Sequence, residues 1–390
     1  MATSSDDSVI DDDEIDDYKE DIEDNNCLLC GVHCEIFYSK TVRPTRPTVL
    51  FGEDRWKHRR KAKAEHVMVP SKEVEEGYFP KYPFTWSSMC RASECHKSVL
   101  GPQSILTDTV IKQPSITKYF LSGITTIESV HFSRPYVIPK DPNVARIGGK
   151  TGNLQYDDTF IPFHAADIER QPSNFQGENI GFIVHAHCWV LFNYIIPTAL
   201  VEKKLDKFIR AGRKYWRNNR LWGISDWEQK LWKAGHGRTH NQGFEFGCDI
   251  YKNPLIVPEV QKVVDNAWKT KKEYKPPRCS RVPLEVATMI AEWTCPIDYT
   301  PADVKNTRIM LSAWQWTLPD SFWKVRLKEE LFVELDSLRE SNYSIDWQAL
   351  RLDLMALVSD REWYVSSGLP NRERVTGFMT AIKSNFLKIA

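Results

Sequence analysis

The spacing of apolar positions changes character twice along this chain. Between residues 26 and about 175, apolar residues come in short runs such as TVLF (48–51) and SVHFSRPYVI (129–138), broken by Pro, Gly, Ser and Thr. This pattern predicts short strands joined by loops. From 180 to about 270 the apolar stretches lengthen, and the spacing predicts mainly helices. The run IGFIVHAHCWVLFNYIIPTALV (180–201) holds no Asp, Glu, Lys or Arg and is long enough to span a bilayer. Its two histidines, Asn193 and Pro197 favour a buried core element over a membrane span. In 201–220, Val201, Leu205, Phe208, Ile209 and Trp216 line one side of a predicted helix. Lys203, Lys207, Arg210, Lys214 and Arg217 line the other, as on a surface helix with its apolar side down.

The second change follows KEYKPPRC (272–279), whose consecutive prolines disfavour helix on both sides, so 271–280 is read as a linker. Residues 281–390 then carry apolar positions at helical spacing. Val282, Val286, Met289, Ile290 and Trp293 share one face, and Pro283 sits where a first-turn proline sacrifices no hydrogen bond. Periodicity alone makes this an ordinary core helix. The fold expected is α+β: a mixed, loop-rich region over 26–270, then a mainly α-helical C-terminal half divided at about 327.

Composition narrows the function classes. With 390 residues, 42% of them hydrophobic, the chain can bury a sizeable core and divide into two or three domains. Lys plus Arg and Asp plus Glu are equal at 52 each, so overall charge favours neither a nucleic-acid binder nor an acidic scaffold. Residues 1–25 hold twelve acids against Lys19 alone and are expected to be a disordered acidic tail. No basic segment followed by an apolar run opens the sequence, which points to the cytoplasm or nucleus.

Nine cysteines spread over a long chain fit reduced thiols or a metal site better than a disulfide framework. Cys27 and Cys30 form a CxxC, and His185 and Cys188 an HxxC. Together they offer four ligands of the kind zinc takes tetrahedrally, hence a structural zinc. Exchange of His185 for His187, or of Cys30 for Cys34, would give the same donor types. The metal-free alternative has Cys27 and Cys30 as buried small apolar side chains or exposed thiols, with Cys188 packed in a core beside Trp189.

Catalytic signals are weak. GGKTG (148–152) has Val144 where a phosphate loop needs glycine. His164 with Asp167, and His236 with His240, are candidate acid–base or metal pairs, but no nucleophile signature accompanies them. The cluster RWKHRRKAK (55–63) would suit nuclear targeting or phosphate contacts. On the 201–220 helix, however, Phe208 and Trp216 lie opposite the basic stripe, where they could not stack on bases. A non-enzymatic protein with no nucleic-acid partner is expected.

The run VPLEVATMIAEW, followed by DVKNTRIMLSAWQWTLPDSFWKVRL (303–327), resembles the F-box. The segment LPDSFWKVRLKEELFVE, then DWQAL (346–350) and LPNRERVTGFM (369–379), resemble the corresponding parts of fungal F-box-like proteins. So do the Cys27–Cys30 pair, HAHCWVLF (185–192) and GFEFGCDIYKNPLIVPEV (243–260) upstream. The resemblance implies a helical bundle over 281–327, a helical extension over 328–390, and a substrate adaptor of a Skp-Cullin-F-box type ubiquitin ligase. It further implies that Val282, Pro283, Leu284, Val286, Ile290, Arg308, Leu311 and Trp314 dock on a Skp-type linker protein, while the rest of the chain captures an unknown protein substrate. The alternative is a zinc-stabilised fungal interaction domain that binds nucleic acid or an acidic protein and has no ligase role. Docking requires the apolar groups around Leu284 and Ile290 to face solvent; the alternative requires them buried against 331–390.

Overall fold

The computed structural model describes residues 26–32, 34, 66–78, 83–97, 117–126, 135–147, 158–166, 168, 179–219, 250, 252–269, 282–339 and 345–390. The acidic tail, TVLF, the 55–63 cluster, GGKTG, Asp167, the His236–His240 pair and the proline linker lie outside them.

Seven strands form one sheet: β1 (Val67–Pro70), β2 (Met89–Lys97), β3 (Thr117–Thr126), β4 (Tyr136–Pro139), β5 (Val144–Ile147), β6 (Phe160–Ala165) and β7 (Ile180–His185). Their order is β1-β5-β3-β2-β7-β6-β4, with β3–β5 and β6–β7 parallel and the other pairs antiparallel. The edge strand β4 also touches β3 and β5, so the sheet curls toward itself. The approach is close at Gly123, where a Cβ would collide with the Asp141 and Val144 carbonyls.

Among the described residues the helices of the first half are α1 (Ser71–Glu75), α2 (Ala186–Asn193), α3 (Thr198–Glu202) and α4 (Leu205–Asn219). The apolar run at 180–201 therefore begins as a strand and only then turns helical, which corrects the start of a region expected to be mainly helical. All six residues of β7 are buried, and a strand buried on both faces shows no alternation to tell it from a buried helix. The run is a core element, and among the described residues no helix is long and apolar enough to cross a membrane.

The second half is helical: α5 (Pro258–Lys269), α6 (Leu284–Thr294), α7 (Pro301–Trp314), α8 (Asp320–Lys324), α9 (Glu334–Arg339), α10 (Trp347–Ser359), α11 (Arg361–Ser366) and α12 (Leu369–Ile389). Local signals set several boundaries. Thr300 and Asp303 form a reciprocal capping box before α7, and Gln315 ends that helix in the left-handed region at φ 52°. Asp346 and Asp360 cap α10 and α11.

Two main cores result, and the chain crosses between them. One lies between the sheet and α2, α4 and α12; the other joins α5 to the C-terminal helices. Val260 and Val264, upstream of the linker, pack in the helical core. Val375, Met379, Ile382 and Phe386 of α12 pack in the sheet core, while Leu369 at its start packs in the helical one. The fully buried Arg372 pins this junction: its guanidinium donates to the Pro254, Leu255 and Leu331 carbonyls and to both Glu334 carboxylate oxygens at 2.7–2.9 Å.

Candidate metal centre and an outward apolar face

The CxxC folds as a tight turn. Leu28 N–H donates to Ile183 O of β7 at 2.8 Å, Gly31 N–H to Cys27 O at 2.8 Å, and Cys27 N–H to Val32 O at 3.0 Å. Gly31 sits at φ 71°, a conformation that disfavours a side chain. Glycine directly after the second cysteine was thus a further signal for this turn in CLLCG, beyond the cysteine spacing itself. Three elements hold the turn by its main chain: β7 through Leu28 N–H, α4 through Trp216 Nε1–H to Leu28 O at 2.7 Å, and α12 through Arg374 to Cys30 O at 3.2 Å. Gly212 of α4 lets the helix lie against Leu28, since a Cβ there would stand 2.8 Å from Leu28 Cδ1.

The HxxC occupies the strand-to-helix junction. His185 is the last residue of β7 and precedes α2, so Cys188 lies in the first helical turn, where the helix dipole favours thiolate. The two pairs meet across the core. Cys27, Cys30, His185 and Cys188 are fully buried, and one ligand atom from each lies within 4.8 Å of all the others. His185 Nδ1 is 3.3 Å from Cys30 Sγ and 3.8 Å from Cys188 Sγ, and His185 N–H donates to Cys27 Sγ at 3.4 Å. Metal–sulfur bonds of about 2.3 Å and metal–nitrogen bonds of about 2.0–2.1 Å at a tetrahedral angle put S and N about 3.6 Å apart, between these two separations. The cluster can hold a metal ion.

Electrostatics divide the thiols. Burial pushes the Cys30, Cys34 and Cys188 thiols up. Burial would raise Cys27 too, but interactions with Cys188, Cys30 and Cys34, together with the His185 charge, outweigh it and hold Cys27 well below the ordinary thiol value. For His185, burial favours the neutral ring, yet Cys27 and Cys30 lift it well above the ordinary range.

The open choices in the ligand set are resolved by geometry. His187 points elsewhere: its Nε2 lies 3.0 Å from Val74 O and its Nδ1 3.0 Å from Asn253 Nδ2, and burial lowers it to about 4. Cys34 falls in a neighbouring group with Cys90 and His185, not in the four-residue cluster. Cys90 carried no expectation from sequence; it is the cross-strand partner of His185 in the β2–β7 ladder.

The residues suggested for docking divide. Pro283, Leu284, Val286, Arg308 and Trp314 are exposed, Val282 and Ile290 are half-buried, and Leu311 is buried at 2% in the helical core, so it offers nothing to a surface. Arg308 pairs with Asp353 at 2.7 Å, and Trp314 packs on Trp316 with ring centroids 4.5 Å apart.

Helix α6 packs in an inverted way. Its small residues Ala287 and Ala291 face the core, whereas Val286, Met289 and Trp293 are 40%, 58% and 88% exposed. Ile297 and Ile309 nearby are exposed as well. Of the stripe expected to be an ordinary core face, Val286, Met289 and Trp293 turn outward, while Val282 and Ile290 are half-buried against the helical core.

On α4 the basic and apolar sides fall as expected, with Leu205, Phe208, Ile209 and Trp216 buried. Lys204 and Lys207 both reach the Ala390 main-chain oxygen, at 2.8 and 2.9 Å, so part of this basic surface is engaged within the chain.

Comparison with protein-family models, curated proteins and solved structures finds no match.

Proposed function

We propose that this chain is a non-catalytic adaptor whose sheet half is held by a structural zinc ion and whose helical half docks on a Skp-type linker protein of a cullin ubiquitin ligase. The observation that supports docking is the packing of α6. Single exposed apolar residues are ordinary on a protein surface, but Val286, Met289 and Trp293 recur at i, i+3 and i+7 with Ile290 beside them. That makes a continuous stripe, while alanines serve the core. The partner is argued from the resemblance of VPLEVATMIAEW and the α7 sequence to the F-box, whose helices dock on such a linker. An amphipathic helix laid in an apolar groove is a common recognition mode. The sheet half is then the part that captures a target protein.

Zinc is the ion because three thiols and an imidazole nitrogen are its usual donors, and its role is structural because four protein ligands close the tetrahedron. No protein-borne position is left for a substrate.

The test is a pull-down of the purified full chain with a Skp-type linker protein, comparing wild type with the double variant Met289→Glu, Trp293→Glu and checking both by thermal melting. Stoichiometric capture that disappears in the folded variant bears the adaptor reading out. Failure of a well-folded, zinc-loaded wild type to bind would sink it and leave the alternative, a zinc-stabilised interaction domain without a ligase role.

A further inference from the structure

The cysteine–histidine knot is larger than one tetrahedral ion requires. Cys34 and Cys90 are also fully buried, and their sulfurs lie within 4.8 Å of each other and of a His185 ring nitrogen. Toward the main chain each sulfur makes a long contact, 3.8 Å to Val32 O for Cys34 and 3.8 Å to Ser87 O for Cys90, and Cys34 interacts with Cys90 and Cys27 as well. Cys27 interacts with Cys30 and Cys188 of the first group and also with Cys34.

His185 supplies the second observation. Its Nδ1 faces Cys30 and Cys188, while its Nε2 is fully buried and has no hydrogen-bond partner among the described residues. A metal-ligating histidine ordinarily donates its other N–H to a carboxylate, a carbonyl or water. Leaving a buried ring nitrogen unmatched is unfavourable. The ring carries one such unmatched nitrogen and lies within 4.8 Å of two further thiols.

We propose that Cys34, Cys90 and the second ring nitrogen of His185 form a further metal position, joined to the first through the His185 imidazole, for a thiophilic closed-shell ion of the zinc(II) or copper(I) kind. The inference rests on Cys27, Cys30, His185 and Cys188 being the first site. Two thiolates and an imidazole nitrogen select soft ions over magnesium or calcium. Copper(I) accepts three such donors; zinc takes a fourth, which water would supply. Entry of the ion releases the Cys34 and Cys90 thiol protons and the remaining ring proton of His185, with no change of oxidation state.

The test uses the full chain, reduced and stripped with chelator, then titrated with cadmium(II), whose thiolate-to-metal absorption reports how many sulfurs bind. Zinc(II) loading is counted in parallel by elemental analysis. The expected result is two ions and five thiolates per wild-type chain, falling to one ion and three thiolates in the double variant Cys34→Ser, Cys90→Ser. One ion with three thiolates in the wild type overturns the proposal and leaves the first site standing; this count needs no variant to fold. Two ions retained in the double variant overturn it as well, by placing the second ion elsewhere. No bound ion at all removes the first site together with the second.

Discussion

Cys30 Sγ lies 3.3 Å from His185 Nδ1 although 155 positions separate the two residues. The contact closes the first turn of the described chain onto the end of β7, and α4 and α12 also hold its main chain in place. A metal ion there would restrain a very long loop.

Because the site assembles only on folding, metal affinity is folding stability. For a site loaded a thousandfold above its Kd, chelation should remove about 4 kcal/mol. Cys30→Ser or Cys188→Ser should behave like the chelated wild type. Thermal melting with and without chelator checks this, and a melting temperature indifferent to verified metal removal would count against the site.

The inverted packing of α6 makes two substitutions diverge. Trp293→Glu, on the 88% exposed side, should change unfolding free energy by no more than about 0.5 kcal/mol. Ala291→Leu, on the buried side, should cost about 1–3 kcal/mol through overpacking. Urea denaturation of both variants decides. A severe loss in Trp293→Glu would mean that the face is covered within the folded chain.

Arg372 is an uncommon junction residue, fully buried with its guanidinium engaged by four groups on three segments. Arg372→Met leaves Glu334 without its partner and should cost about 3–5 kcal/mol. Arg372→Lys should recover little of this, since an ammonium cannot match the forked geometry. Chemical denaturation measures the loss, and a near-neutral Arg372→Met would show that the two cores do not depend on this residue.

The exposed pair Lys328–Glu373, at 2.7 Å, predicts a small pH effect. The hydrogen bond from Lys328 lowers Glu373 below the ordinary glutamate value; burial opposes this and Tyr364 Oη–H assists it. A depressed folded value stabilises above the unfolded glutamate pKa and ceases to do so as pH falls through the depressed value. Lys328→Met should therefore lose at most about 1 kcal/mol near neutral pH, with variant and wild type converging on acidification. Parallel stability curves that never converge would refute the pair's part in the acid limb.

Much of the secondary structure could be read from the order of residues, because local rules govern it. The helices after 281 follow from apolar spacing and from caps at Thr300, Asp346 and Asp360, and the basic and apolar sides of α4 lie where their periodicity places them. Donor chemistry was legible too, since CxxC and HxxC each aim two ligands from one short stretch. Periodicity could say that Val286, Met289 and Trp293 share a side of α6, but not whether that side faces inward. Packing chose Ala287 and Ala291 for the interior, and burial depends on which neighbours arrive. The same holds for the knot. The β2–β7 register sets Cys90 beside His185, and hydrogen bonds to the Val74 carbonyl and from Asn253 Nδ2 turn His187 away. Strand pairing and the crossing of α12 between two cores join residues far apart in the chain, so their consequences emerge only when the chain closes on itself.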